Sequence, residues 1–507
     1  MNKAIETKGI WKVIGASSLG TLIEWYDFYI FGSLAPIIAS QFFPKTNPTA
    51  ALLSTLATFA AGFIVRPFGA LVFGRLGDLV GRKYTFLLTL ILMGGSTFAI
   101  GLIPSFSSIG YVAPILVLLL RLIQGLALGG EYGGAATYVA EHSPAHRRGY
   151  FTSWIQTTAT LGLFVSLGVI LITRRTLGVE TFADWGWRVP FLVSIILVVL
   201  SIYIRLKMNE SPLFSKMKAE GKTSTNPLKE SFGKKQNLKM VLLALFGAAM
   251  GQGVIFYTGQ FYAQSFIENV CKIDFEQSRT ILIWAIIFAT PGFILFGGWS
   301  DKVGRKWIML VGMLLAVLTY KALFSGLLDI SNEKNKVEVE ASKKIEVISY
   351  PVKNSKDFVR VIKTTHYYED GSSVTKAMKD SSIAANIKLE SPVPLTTVKT
   401  MGSSSYWKMV FLVFIMIAYV TMVYGPIAAF LVEMFPTKIR YTSMSLPYHI
   451  GNGVFGGLTP FIATLLTTIY TNDKLAGLAY PIIVTAICLV IGTVYISNKK
   501  AVEKEEY

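Results

Sequence analysis

A chain of 507 residues that is 52% hydrophobic, only 15% charged and has a mean hydropathy of +0.51 is too apolar for a soluble globular protein, so much of its surface must face lipid. The net charge of +18 does not indicate nucleic acid, because the Lys and Arg residues sit in short segments between apolar runs rather than along one stripe. Two cysteines, Cys271 and Cys488, offer neither a disulfide framework nor a thiolate metal site.

A helix needs roughly 20 apolar residues to cross the hydrocarbon core. Such runs recur with cores at 11–40, 50–74, 84–103, 111–139, 150–173, 186–205, 240–267, 279–298, 307–327, 406–433, 444–469 and 478–497. The expectation is an all-α membrane protein with twelve transmembrane helices. The first run carries Glu24 and Asp27 and has no small-residue cleavage pattern after it, so it is expected to be a retained helix rather than a signal peptide. If the N-terminus is cytoplasmic, alternate connections hold Arg82 and Lys83, Arg147 and Arg148, Arg305 and Lys306, and Lys438 and Arg440, as the positive-inside bias requires. Both termini are then cytoplasmic.

The expected organisation is an N-terminal six-helix bundle over 1–205, a cytoplasmic loop over 206–239, helices seven to nine over 240–328, an extracytoplasmic insert over 329–405, and helices ten to twelve with a short tail over 406–507. In the insert, VEVEASKKIEVISY and FVRVIKTTHYYEDGSSV alternate apolar with polar residues, and Asp370-Gly371 suits a tight turn, so a small β-rich unit is expected between helices nine and ten.

An internal repeat relates the halves. GRLGDLVGRK, from Gly74 through Asp78, Gly81 and Arg82 to Lys83, returns as GGWSDKVGRK with Asp301, Gly304, Arg305 and Lys306, at an offset of 223. EHSPAHRR, from Glu141 to Arg148, returns as EMFPTKIR, from Glu433 to Arg440, at an offset of 292. The difference of 69 is about the length of the stretch 329–405, so the insert interrupts the second copy. Repeated helical bundles in a membrane usually enclose a transport path that opens alternately to either side.

The repeated GRLGDLVGRK loop resembles the signature of the major facilitator superfamily. LIEWYDFYIFG at Leu22, FIVRPFGALVFG at Phe63, RLIQGLALGGEYGG at Arg121, DWGWRVPF at Asp184, ESPLF at Glu210 and MFPTKIRYTSMS at Met434 together resemble the metabolite:proton symporter family. The resemblance runs over both halves but not the insert. It implies two pseudo-symmetric six-helix bundles and proton-coupled uptake, in a family with carriers of proline and betaine, α-ketoglutarate, shikimate and citrate. Osmosensing members carry a long coiled-coil tail; this chain ends at Tyr507, about ten residues past its last apolar run, which weakens that particular likeness.

Charged side chains at mid-helix cost about 2.5–3.5 kcal/mol each even on a lenient scale, so they mark partners or water. Glu24, Asp27 and Glu131 are the proton-coupling candidates, because a carboxylate out of bulk water binds a proton more readily unless a cation opposes it. The alternative role of Glu24 and Asp27 is a fixed ion pair to Arg66 or Arg121. Arg121 suits a solute carboxylate through its planar fork. Gln124, Tyr132, Tyr257, Gln260 and Asn452 complete the binding candidates, with Gln252, Tyr262 and His449 as further hydrogen-bonding groups; each of Tyr257, Gln260, Asn452, Gln252, Tyr262 and His449 taken singly is better explained by helix packing. The signature residues Gly74, Asp78, Gly81, Arg82, Lys83, Asp301, Gly304, Arg305 and Lys306, with Glu141, Arg148, Glu433 and Arg440, are assigned to gating, since they lie at the rim.

His142, His146 and His366 show no metal-ligand spacing, the nucleotide-binding GxxxxGK[ST] pattern is absent, and no catalytic constellation recurs. No cofactor, metal or nucleic acid is therefore expected. The partners are the lipid bilayer, a small organic solute and the proton, with the monomer as functional unit in the inner membrane. The rival function is a non-transporting receptor that binds ligand through the insert.

Overall fold

The computed structural model describes residues 7–44, 48–80, 82–130, 132–206, 215, 218–220, 225–339, 342–351, 358–379 and 397–496. The main helices in order are Thr7–Ser33; Pro48–Ile64 continued by Arg66–Leu79; Arg82–Leu102; Val112–Gly129 continued by Tyr132–His142; Arg148–Leu177; Arg188–Leu206; Lys235–Val270; Phe275–Val303; Arg305–Ser331; Ser403–Met434; Thr437–Ile469; and Ala479–Tyr495. We refer to them as the first to twelfth helices. Among the described residues nine spans are long and apolar enough to cross a membrane, and the bent pair Val179–Gly186 and Arg188–Tyr203 makes a tenth. The chain is a multi-pass membrane protein of two six-helix bundles.

Local chemistry explains the breaks. The second helix restarts at Arg66 because Pro67 has no N–H to continue the hydrogen-bond ladder and suits a first turn, and Pro291 does the same in the eighth. Gly304, with φ +109, ends the eighth helix and allows the sharp turn into the ninth, which accounts for the glycine of the VGRK signature. Apolar residues such as Leu119, Leu295, Leu318 and Val490 stay exposed on the outer faces, as surfaces against acyl chains must. Within the N-terminal bundle the first helix packs on the fifth, the third on the sixth, and the second on the fourth.

The chain divides into two compact units: Met1–Tyr262, Ile286–Tyr320 and Met416–Tyr507, and Ala263–Ala285 with Lys321–Ile415. The second contains an antiparallel sheet of four strands in sequential order, β1 Lys344–Pro351, β2 Phe358–Tyr367, β3 Ser373–Lys379 and β4 Thr397–Thr400. The β2–β3 turn uses Gly371 at φ +78, and the Asp370 carboxylate accepts from the Ser372 N–H at 2.9 Å. Burial opposes ionisation of Asp370, yet hydrogen bonds from Lys336 (2.6 Å), Ser372 and Ser405 outweigh it and hold the carboxyl well below its ordinary value. Within β4, Lys399 exchanges backbone hydrogen bonds with the loop between the seventh and eighth helices, donating to Lys272 O at 2.8 Å and accepting from Asp274 N at 2.9 Å. Val361 and Val374 are buried, whereas Ile345, Val347 and Met378 are exposed.

Candidate functional site

Two layers of contacts join the halves inside the first unit, one central and one at the end carrying the signature loops. The central layer is built around charges that the apolar helices cannot leave facing lipid. Asp27, Arg66 and Arg121, on the first, second and fourth helices, are 1%, 1% and 0% exposed. Asp27 Oδ1 has no hydrogen-bond partner among the described residues. The two guanidinium groups lie within electrostatic reach of one another.

The two arginines have different surroundings. Arg121 donates to Gln124 Oε1 at 2.7 Å, and Gln124 donates onward to Thr97 at 2.5 Å. Its guanidinium also lies over the rings of Phe31 and Phe59, at 4.5 and 5.0 Å, so its described contacts come chiefly from the N-terminal bundle. Arg66 stands over Phe63 at 4.0 Å and Trp25 at 5.8 Å but also faces Tyr257, Tyr424 and His449, from the seventh, tenth and eleventh helices.

Aromatic rings close this layer across the halves. Tyr132 stacks on Tyr448 with centroids 3.5 Å apart and planes 5° from parallel. The Tyr448 and Tyr424 hydroxyls are 2.7 Å apart, and Gln156 donates to the Tyr132 hydroxyl at 2.5 Å. Phe63 meets Tyr257 at 5.0 Å, Tyr29 meets Phe261 at 5.0 Å, and Trp25 meets Phe256 at 6.1 Å. Such a wall can cover an organic solute or a cationic headgroup.

The other binding candidates divide by whether their polar atoms are engaged. Asn452 and Gln252 bind each other through both amides, at 2.8 and 3.2 Å, and so cross-link the seventh and eleventh helices. Gln260 is fully buried with both amide ends unpartnered among the described residues. Tyr262 is buried on the same helix.

At the rim, the Asp301 carboxylate accepts from the backbone N–H groups of Gly149 (2.9 Å) and Tyr150 (2.8 Å), in the first turn of the fifth helix, and from Arg305 at 2.6 Å. An anion at a helix N-terminus is stabilised by the unpaired N–H groups and the helix dipole. Arg305 also grips Glu433 at 3.1 Å, and Arg148 lies 3.6 Å from the same carboxylate. The repeat-related pair, Arg440 and Glu141, meets at 3.6 Å. Each half therefore offers its glutamate to the arginine of the other. Lys306 donates to the carbonyls of Thr493 (2.9 Å) and Ile496 (2.6 Å), tying the ninth helix to the end of the twelfth. Gly74 lies against the ring of Tyr441, whose hydroxyl donates to Gly130 O.

Glu131 and Gly81 lie outside the described residues, and so do the side chains of Glu24, Asp78, Arg82 and Lys83. Sequence reasoning missed Tyr29, Gln156, Tyr424 and Tyr448. Nothing in their spacing separates them from ordinary packing aromatics, since partners such as Tyr132 and Tyr448 are far apart in the chain.

The chain is 32% identical over 464 residues to the inner membrane metabolite transport protein YhjE of Escherichia coli K12, covering 90% of this chain and 88% of that protein. The chain belongs to the metabolite:proton symporter family of the major facilitator superfamily. This family member is also 34% identical over 310 residues to the proline/betaine transporter of Salmonella typhimurium, covering 59% of this chain and 61% of that protein. Its residues 12–245 match the family described as "Sugar (and other) transporter". Its fold is that of the proton:xylose symporter XylE bound to 6-bromo-6-deoxy-D-glucose, with a TM-score of 0.68, 15% identity and 97% of each chain covered. The metabolite symporter-family chain is thus a membrane transporter of small solutes, not an enzyme.

Proposed function

We propose that the protein is a secondary active transporter that carries a small carboxylate-bearing or zwitterionic metabolite together with protons, by alternating access, across the bacterial inner membrane. The observation that carries this reading is the set of buried charges, Asp27 on the first helix and the mutually close Arg66 and Arg121 on the second and fourth, in a region where aromatic side chains of the two halves meet. A solute carboxylate suits a guanidinium there, and aromatic faces suit an apolar or quaternary ammonium portion. Asp27, with Glu24 and Glu131 as further carboxylates, is the proposed proton carrier. The proton gradient needs no cofactor: 100 mV contributes about 2.3 kcal/mol per charge, enough for roughly fifty-fold accumulation.

With both termini cytoplasmic, the Asp301, Arg305, Glu433, Arg148 and Glu141–Arg440 layer closes the cytoplasmic side, and its release opens the path inward. The insert then lies outside the cytoplasm, and the monomer is the working unit. The name of the proline/betaine relative and the proton symport of XylE favour this reading without naming the solute.

The test is reconstitution in proteoliposomes with an internal pH dye, offering proline, betaine, α-ketoglutarate, shikimate and citrate to the wild type and to Asp27→Asn and Glu131→Gln. Solute-dependent proton entry that a carboxyl replacement removes supports symport. Uptake with unchanged proton entry in both variants would refute the coupling assignment.

A further inference from the structure

We infer that His449 contacts the transported solute, and that Arg66 rather than Arg121 is the guanidinium beside it that takes the solute carboxylate. The inference rests on the transport reading above and adds a specificity residue to it.

Four observations lead there. His449 is 2% exposed, and neither ring nitrogen has a hydrogen-bond partner among the described residues. A buried imidazole left so forfeits hydrogen bonds it would make in water, and so calls for a partner such as a ligand or an ordered water. Second, the ring stands edge-on to Tyr448, at 5.2 Å between centroids and 85° between planes, which places it beside the Tyr132–Tyr448 contact between the halves.

Third, the backbone is irregular at this point. Pro447 interrupts the hydrogen-bond ladder just before His449, and a π-helical stretch, Ile450–Gly456, follows it. Wide turns of this kind often mark functional positions, because they redirect side chains without ending the helix. Fourth, His449 heads a face of the eleventh helix that meets the second. One turn on, a Cβ added to Gly453 would lie 3.6 Å from Arg66 Cδ and 2.7 Å from Phe63 O, so only glycine permits this approach. His449 and Arg66 thereby lie within electrostatic reach of one another, one from each half.

Arg121 is a poorer choice for the carboxylate. Its hydrogen bond to Gln124 and its two aromatic neighbours belong to one bundle, and although Tyr257 of the other half also lies within electrostatic reach, rocking the halves leaves those three contacts intact. Arg66 faces the other bundle, where relative motion changes its contacts. The solute class is accordingly one with a carboxylate for Arg66 and a second polar group, hydroxyl or carboxyl, for the imidazole.

The test uses the full chain with Cys271→Ser and Cys488→Ala, carrying His449→Cys, in right-side-out and inverted vesicles. The probes are an anionic sulfonatoethyl and a cationic trimethylammonioethyl methanethiosulfonate, with rates scaled to those on a free thiol. The expected result is labelling from at least one side with about tenfold preference for the anion, lost in Arg66→Gln and kept in Arg121→Gln. Failure of both probes in both orientations, while the denatured protein reacts, would overturn the inference, as would a preference that follows Arg121. A second arm measures His449→Gln with whichever panel solute the wild type accumulates: KM rises about tenfold or more with maximal rate within about twofold, and an unchanged KM counts against solute contact. If the wild type carries no panel solute, the transport reading fails on that panel while the labelling still decides the place of His449.

Discussion

Asp27 and Arg121 show how a single buried charge acquires a role from its neighbours. Asp27 is fully enclosed with Oδ1 unpartnered among the described residues, in a layer that also holds two guanidinium groups. Asp27→Asn is expected to retain solute counterflow, which needs no net proton movement, and to lose uphill accumulation. That would cut a roughly fifty-fold gradient to near unity in a proteoliposome uptake assay with imposed pH gradient. Arg121 instead lies over the rings of Phe31 and Phe59 and donates to Gln124, the contacts of a strut. Because lysine supplies neither the planar face nor the fork, Arg121→Lys should lower stability by about 1–2 kcal/mol, read as a reduced melting temperature in detergent.

At the scale of elements, the crossing of the fifth and eighth helices depends on two glycines facing one another. A Cβ at Gly297 would fall 2.6 Å from Ser153 Oγ and 2.9 Å from Gly149 O, and one at Gly149 would fall 2.5 Å from Gly297 O. Gly297→Val must push these helices apart, which costs about 1–3 kcal/mol of overpacking and loosens the Asp301 contact with the fifth helix. Cysteine cross-linking across the rim should then drop in yield while membrane insertion is unchanged. In the insert, Asp370 carries the turn and its anchorage through Lys336. Since its native carboxyl is held below the ordinary value, its stabilisation is complete above the unfolded pKa of about 3.9 and is lost as pH falls through the lower native one. Hydrogen exchange at β2 and β3 should stay slow down to about pH 4 and quicken below it, whereas Asp370→Asn should show the faster exchange at every pH.

Over the whole molecule, the repeat is realised as reciprocal charge exchange. Glu433 of one half meets Arg148 of the other, and Glu141 meets Arg440. In the alternating-access cycle proposed above, the pairs would hold the halves together only while the signature-loop end is shut, and so would bias the equilibrium between states. Glu141→Arg and Arg440→Glu alone should each reduce transport several-fold, and the double exchange should recover most of it. A coupling of about 0.5–3 kcal/mol is expected, measured by a double-mutant cycle on uptake rates and on accessibility of a central cysteine.

Legibility followed the range over which each signal acts. Membrane residence, the run of spanning helices and the two related halves were readable from the chain, because lipid imposes long apolar segments and the signature residues recur in fixed local order. The β-rich insert was readable from alternation and from Asp370-Gly371, both local features. The family followed from motifs such as GRLGDLVGRK and RLIQGLALGGEYGG.

The centre of the molecule was less legible. The sequence singled out Asp27 and Arg121 by the cost of burying charge, but tertiary packing decided that Arg121 donates to Gln124 and lies over Phe31 and Phe59 while Arg66 also faces Tyr424 and His449 of the other half. It likewise decided that Asn452 is engaged by Gln252 and that Tyr448 and His449 stand at the meeting of the halves. Those pairings join residues hundreds of positions apart, and no periodicity records which side chain will meet which across two bundles. Composition and local pattern determined what kind of molecule this is; the contacts between the halves, set by packing, decided which buried groups face each other.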